Sequence, residues 1–447
     1  MHGQVLDGER GGGRALGRDL LEPLLATGDY PITPGHFAGI TTVPLPSGTF
    51  SYGFYVNCTT DPQTGCTRLQ DPSNPSWDHR NGSTPVTGSP QTLSQVYVPS
   101  DERFGTEDLS WQAPRRTAGK LVDLTYPSPQ SSSPVGEHTV AVYTSPGYDP
   151  NRETPYPTLY LSHGAGGNDL DWSTQGVANR ILDNLYADGK IQPMVVVMTN
   201  FNGLSCDGSA VNCYRADLLQ NVIPFIESRF NVSHRSDDRA FAGLSAGGMR
   251  ANDLLFNATE EFGYFGSWSL GGAGAPPVTD PRWQNPALRT RLGLFIGGGR
   301  FDASHMTQGQ ALAYQANLTA QNIPYVNATL DGVHSWAVWR ELLRRFATDI
   351  VFKTTRTTLA HDASDRKVVA TVSPATTQPE APSGRVQFYV DGVGVDHAVG
   401  PARRVGRDGT VTLPGLGGLA PGPHTVTAVY SGDHLYRTST SASLTIS

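Results

Sequence analysis

The chain has 447 residues, of which 38 % are hydrophobic and 50 are glycine, and its formal net charge is −7 at pH 7. That length exceeds one compact domain and implies two or three. The acidic balance, without a long basic run, argues against a nucleic-acid partner, and the longest strongly apolar run, Met194 to Met198, is far too short to span a bilayer.

Residues 1–30 are charged and lack an apolar core, so they read as a flexible leader and not as a signal peptide. Either an export signal has been removed or the protein is not exported. Residues 31–115 read as short strands and turns. His36 to Val43 and Gly48 to Val56 are rich in β-branched and aromatic residues, with Pro and Gly between them. A small β-sandwich of the immunoglobulin-like or carbohydrate-binding-module type fits.

From 116 to 354 apolar runs alternate with helical patterns. Thr158 to Leu161, Met194 to Met198 and Leu292 to Ile296 suit buried parallel strands, and Tyr325 to Leu330 a further strand. Between Tyr214 and Phe230, Leu218, Leu219, Val222, Ile223, Ile226 and Phe230 recur at helical spacing on one face. Trp336 to Phe352 forms a final amphipathic helix. This alternation predicts a doubly wound α/β domain. From 355 to 447 helical patterns vanish, and Gly384 to Val390, Gly409 to Leu413 and His424 to Tyr430 alternate in period two. A C-terminal β-sandwich is expected. Its ending, Tyr430-Ser-Gly-Asp433 followed by Tyr436, resembles the bacterial immunoglobulin-like repeats of secreted proteins.

Four cysteines fall in two local pairs, Cys58 with Cys66 and Cys206 with Cys213. Two small disulfide loops and an oxidising compartment account for that pattern; the alternative is four free thiols in a reducing one. Neither pair has C-x-x-C spacing and no histidine cluster accompanies them, so no metal is expected.

The stretch Arg239 to Arg250, RAFAGLSAGGMR, holds a G-x-S-x-G match centred on Ser245. In a glycine-rich chain that match alone carries little weight. Its context adds the rest: Arg239 to Ala242 suits a strand, and Met249 to Phe256 a helix. A serine on the sharp turn between them would be an exposed nucleophile, with the Ala246 N–H at a helix N-terminus beside it. The competing reading is a plain glycine-rich turn. A serine needs a base. His334 follows the last α/β strand, where it would serve as that base, and Asp302 follows the strand ending at Ile296, where it would orient the histidine. Asp331 lies too close to His334 in the chain to face its ring from behind. The order Ser, Asp, His is that of α/β-hydrolases. The run His163-Gly-Ala-Gly-Gly167 after an early strand offers a second oxyanion donor, the Ala165 N–H, and lacks the GK[ST] of a phosphate loop. Trp172, Phe201 and Trp336 flank these loops, either as an aromatic wall for substrate or as packing.

HGAGGNDLDW, ILDNLYADGKIQPMVVVMTN, RAFAGLSAGG and DGVHSWAVWRELL occur in this order. Together they resemble the esterase D-like family of α/β-hydrolases, especially bacterial feruloyl and related carbohydrate esterases, over about 117–354. Tyr52 to Val56 with Asp71 to Pro75 resembles the N-terminal β-module of some members. The resemblance implies a Ser245–Asp302–His334 triad, no metal or organic cofactor, and a secreted carboxylic ester hydrolase. Its substrate would be an ester linked to plant cell-wall polysaccharide, with feruloyl or acetyl as the acyl group, and no membrane partner is implied. The acid segment GGGRFDASH departs from the family's usual Gly-x-x-Asp turn, and the Cys58–Cys66 insertion and the C-terminal β-domain are atypical. Acyl transfer to a sugar, as in the mycolyltransferases, or hydrolysis of a siderophore or aromatic polyester ester keeps the same triad. A non-catalytic carbohydrate-binding surface protein is the reading from another class. The C-terminal sandwich shows no aromatic strip, which favours a spacer.

Overall fold

The computed structural model describes residues 47–56, 67–69, 94–99, 108–132, 134–290, 293–304, 310–362, 367–376, 381–413, 420–433 and 436–446, and the backbone of short strands at 2–4, 25–26 and 40–41. Cys58, Cys66 and the segment Asp71 to Pro75 lie outside the described residues. Strands β1 (Gly48–Val56) and β2 (Ser94–Val98) pair antiparallel. His2–Gln4 and Thr67–Leu69 also pair with β1, giving a four-stranded sheet.

An eight-stranded sheet forms the centre. It contains β3 (Lys120–Ser132), β4 (Val135–Thr144), β5 (Thr158–Ser162), β6 (Val195–Thr199), β7 (Arg239–Leu244), β8 (Tyr264–Trp268), β9 (Gly293–Gly299) and β10 (Val326–Leu330). Their order is β10-β9-β8-β7-β5-β6-β4-β3. The six strands from β10 to β6 are parallel, and β4 and β3 extend the sheet as an antiparallel hairpin. Every residue of β5, β6, β7 and β8 is buried. That explains the apolar runs at the centre of β5 and β6, because helices cover both faces. Helices α1 (Ala178–Ala187), α2 (Ala210–Asp217), α3 (Ile223–Arg229), α4 (Ala246–Asn257), α5 (Gln310–Ala320) and α6 (Trp336–Arg345) do the covering. Period-two alternation sorts the strand residues. Leu159, Leu161, Val196 and Met198 pack with Ile181 and Leu182 of α1 and Leu342 and Leu343 of α6. Tyr160, Val195, Val197 and Phe241 pack with Leu218, Ile226, Leu254 and Leu318 on the other side.

Two expected helices differ in detail. The segment expected from Tyr214 begins earlier, at Ala210, because the Ser209 hydroxyl caps it by accepting from the Asn212 N–H at 3.2 Å. It then widens into a π turn over Leu218–Val222 before α3. Pro224 follows that turn and has no N–H for the regular ladder. The last helix runs as α6 only to Arg345 and continues as a second π turn, Phe346–Ile350. The β3–β4 hairpin and β8 were not among the expected strands. β8 is a five-residue strand just after Gly263, too short to declare a period.

The chain ends in two further sheets. One holds β11 (Thr355–Asp362), β12 (Lys367–Pro374) and β14 (Thr410–Leu413), and the other is built on β13 (Arg385–Val390) and β15 (His424–Tyr430). Val368, Ala370, Val372, Phe388, Val411 and Ala428 point between them and form a separate core. Arg437 of this sandwich ion-pairs with Asp238 beside β7 and lies over Tyr264 and Phe352. At the other end, Arg340 of α6 donates to Thr49 O in β1 at 3.0 Å and to Gln175 O. Among the described residues no helix is long and apolar enough to cross a membrane.

Candidate active site

Strand β5 pairs with β6 on one side and β7 on the other, so consecutive connections leave it in opposite directions. The crevice at the C-terminal ends of strands at such a reversal is where open α/β sheets take ligands. The loop after β5 carries His163 to Gly167, and the end of β7 carries Ser245.

The turn at Ser245 is tighter than the glycines suggest. β7 runs to Leu244 and α4 starts at Ala246, so one residue makes the whole connection. Ser245 has φ 71° and ψ −109°, a conformation costly for a residue with a side chain. Its N–H donates to Trp268 O at 2.8 Å, and its own C=O accepts from the Met249 N–H at 3.0 Å. The glycines serve packing. A Cβ on Gly243 would lie 2.5 Å from the Gly247 carbonyl carbon, one on Gly247 2.6 Å from Ser162 O and His163 O, and one on Gly248 2.6 Å from Trp268 O. Glycine lets α4 press onto the ends of β5 and β8.

The three residues expected from the sequence lie together. His334 Nε2 is 3.1 Å from Ser245 Oγ. His334 Nδ1 is 3.1 and 3.0 Å from the two oxygens of Asp302. Asp302 is fully buried, whereas His334 reaches solvent. Burial works to raise the Asp302 pKa. Hydrogen bonds from His334 and from the Ser269 hydroxyl, the His334 charge and the Ser304 N–H outweigh it and hold the carboxyl below its usual value. Asp331 pairs with Arg300 at 2.8 Å instead.

Of the two expected oxyanion donors, Ala246 follows Ser245 directly and Ala165 stands on the turn whose Gly164 packs against Ser245. Ala246 is the first residue of α4, so its N–H is one that a helix leaves without an intrahelical partner. Ala165 stands exposed on the turn after Gly164, and a Cβ on Gly164 would lie 3.5 Å from Ser245 Cβ. His163 underlies this turn. It is fully buried, donates from Nδ1 to Gly164 O at 2.6 Å, and accepts from the Phe201 N–H at Nε2 at 3.4 Å. Burial drives its pKa down to about 3, with the Gly164 hydrogen bond opposing and the Arg250 cation adding. The ring is therefore neutral at ordinary pH.

The three aromatic residues near the loops are placed differently from one another. Trp172 is buried, donates to Ser162 O at 3.0 Å and meets Trp268 and Trp336 edge-on. Trp336 is buried in the same cluster and contacts Trp339. Phe201 is half-buried. His163 stacks on it at 3.8 Å and the Arg250 guanidinium lies 3.4 Å from its centroid. Two planar groups that close must take opposite faces, which leaves only the ring edge for other contacts.

Sequence reasoning missed Ser269, Trp339 and Arg250. Arg250 lies one turn into α4, is buried, and donates to Ala246 O at 2.8 Å. Burial lowers its pKa to about 10, so it stays charged. Trp339 is on the same helical face as Trp336, a signal the amphipathic pattern carried; Ser269 had none. Cys206 and Cys213 form a disulfide that ties the loop after β6 to α2. Among the described residues no group of three or more His, Cys, Asp or Glu side chains is arranged to hold a metal.

Comparison with known proteins matches residues 131–350 to a family described as putative esterase and residues 352–447 to the bacterial Ig-like domain, group 3. An endo-1,4-beta-xylanase/feruloyl esterase of Xylanibacter ruminicola is 30 % identical over 221 residues, covering 47 % of this chain and 29 % of that protein. Endo-1,4-beta-xylanase Y of Acetivibrio thermocellus is 33 % identical over 167 residues, covering 35 % of this chain and 15 % of that protein. The chain thus spans less than a third of the length of these curated relatives. A solved feruloyl esterase module from Clostridium thermocellum, complexed with sinapinate, aligns at 24 % identity with a TM-score of 0.46, covering 54 % of this chain and 90 % of that one.

Proposed function

We propose that this chain, whose residues 131–350 belong to the putative esterase family and whose residues 352–447 belong to the bacterial Ig-like domains, is a secreted serine carboxylic ester hydrolase. Its substrate is an ester on plant cell-wall polysaccharide, and feruloyl or acetyl is the acyl group removed. The observation that carries the reading is the unbroken contact from Ser245 Oγ through His334 to the buried Asp302 carboxylate. The two curated relatives named as xylanases, one of them also a feruloyl esterase, support the cell-wall substrate. The disulfide and the Ig-like module support export.

His334 Nε2 takes the Ser245 proton as Oγ attacks the ester carbonyl carbon. Asp302 holds the ring with Nδ1–H toward itself and stabilises the imidazolium that forms. The carbonyl oxygen, now negative, is held by the Ala165 and Ala246 N–H groups, and the dipole of α4 favours the same charge. His334 then gives its proton to the departing alcohol oxygen, leaving acyl-Ser245. Water attacks the acyl carbon while His334 removes its proton, and the acid leaves as Ser245 is reprotonated. The chain's own groups complete this cycle.

The test is release of ferulate from methyl ferulate, beside p-nitrophenyl acetate, by wild type and Ser245→Ala. Loss of the nucleophile is expected to cost about three to six orders of magnitude in kcat. Turnover of p-nitrophenyl acetate alone would keep the esterase and discard the feruloyl group. A variant as active as wild type, or an inert wild type, would refute the reading.

A further inference from the structure

Arg250 is a costly residue for its place. It is buried, and Asp253, the acidic residue nearest to it on α4, pairs with Arg215 instead. Its Nε is buried without a hydrogen-bond partner. An apolar side chain would serve the fold at lower cost than a buried cation held in this way. What the guanidinium does meet is the Phe201 ring, 3.4 Å from its centroid, and His163 stacks on that ring with centroids 3.8 Å apart. The stack joins α4 to the loop after β5.

Those two elements carry the two oxyanion donors, and each donor belongs to a peptide whose carbonyl is held. In a trans peptide the C=O and the N–H point in opposite directions, so holding one aims the other. Ser245 O accepts from the Met249 N–H at 3.0 Å, which aims the Ala246 N–H. Gly164 O accepts from His163 Nδ1 at 2.6 Å and from the Gly167 N–H at 3.3 Å, which aims the Ala165 N–H. A backbone N–H can only donate and a carbonyl oxygen can only accept. The Phe201 N–H on Nε2, at 3.4 Å, therefore keeps the His163 proton on Nδ1, where Gly164 O needs it. Asn202, next in the same loop, donates to Gly167 O at 2.7 Å and holds the far end of the turn.

We infer that His163, Phe201 and Arg250 are positioning residues for the oxyanion hole: His163 turns the Gly164–Ala165 peptide, and the Phe201 ring, clasped by Arg250, holds that histidine at a fixed distance from α4 and its Ala246 N–H. The inference rests on the esterase reading above. It gives Phe201 a part in aligning the two donors and not in walling the substrate.

Phe201→Leu deletes both ring faces and keeps the backbone N–H. Its kcat is expected to fall about 10- to 100-fold, somewhat less than the loss of a whole oxyanion donor. The factor should be the same with p-nitrophenyl acetate and methyl ferulate, and KM should stay within about twofold, because the interaction is made in the transition state. A ring that walled the substrate would instead raise KM for methyl ferulate alone. His163→Phe keeps a ring in the stack but removes the donor, and should lose at least as much kcat. His163→Asn keeps a donor and should recover part of that loss. The double variant Phe201→Leu with His163→Phe should be no slower than His163→Phe alone, because both changes act through one peptide. All are assayed well below the lowest thermal midpoint, and if His163→Phe does not fold, Phe201→Leu on the two substrates still decides. Wild-type kcat in Phe201→Leu would overturn the inference. So would a loss confined to KM for methyl ferulate, or a His163→Asn enzyme as slow as His163→Phe. Ser245→Ala is run beside them: if it is inactive while Phe201→Leu matches wild type, only the positioning role fails. If it keeps wild-type activity, the esterase reading itself fails.

Discussion

Acid should act first through His163. The ring is sealed under the turn that carries Ala165, with Nδ1–H on Gly164 O and Nε2 receiving the Phe201 N–H. A second proton would set an N–H against that N–H and add a cation across the Phe201 ring from Arg250. The folded pKa is pushed down to about 3, against an ordinary value of 6.5. A depressed pKa contributes stability that is fully present above the unfolded value and is lost as pH falls toward the folded one. The window therefore opens below pH 6.5 and runs to about pH 3. At about 1.4 kcal/mol per unit, the fall from pH 6 to pH 4 should cost about 2–3 kcal/mol through this ring alone. His163→Asn keeps an N–H donor for Gly164 O and cannot be protonated. Urea unfolding of both full-length proteins at pH 6, 5 and 4, followed by tryptophan fluorescence, reads the difference. Wild type should lose about 2–3 kcal/mol more than the variant over that range. Equal losses would show that His163 does not set the acid sensitivity.

Two other perturbations probe the joints of the molecule. Arg437→Met breaks the pair with Asp238 and leaves that carboxylate half-buried beside β7. Asp238 still accepts from the Ser233 hydroxyl, so losing this partly buried partner costs about 1–2 kcal/mol, and calorimetry should show the C-terminal sandwich melting earlier; an unchanged profile would mean that the contact does not couple the two parts. Cys206→Ser with Cys213→Ser opens a loop of sequence separation 7. Chain-entropy arguments give a cost of about 2–3 kcal/mol, and the loss should appear first as protease cleavage in the exposed segment after Phe201. Cleavage rates equal to wild type would count against that account.

Much of the site was readable from local pattern. A serine between a strand and a helix, with glycines around it, has few other uses. A histidine after the last strand and an aspartate after the one before it follow from chain order. Those are statements about which loops meet at one end of a parallel sheet, and α/β winding settles that from the alternation alone. The apolar runs Thr158 to Leu161 and Met194 to Met198 likewise announced strands buried on both faces.

What pattern left open was direction and distance. Nothing local says that Trp172 turns into the core to meet Trp268, or that Phe201 is covered on both faces by His163 and Arg250. Which backbone atoms Gly243, Gly247 and Gly248 let approach is fixed only once α4 lies on β5 and β8. Ser269 is the extreme case. Its partners, Gly297 and Trp339, are 28 and 70 positions away along the chain. Local sequence specifies which residue types can do chemistry and where along an element they stand. Side-chain orientation and long-range hydrogen bonds depend on packing between elements far apart in the chain, so they were decided by the tertiary structure.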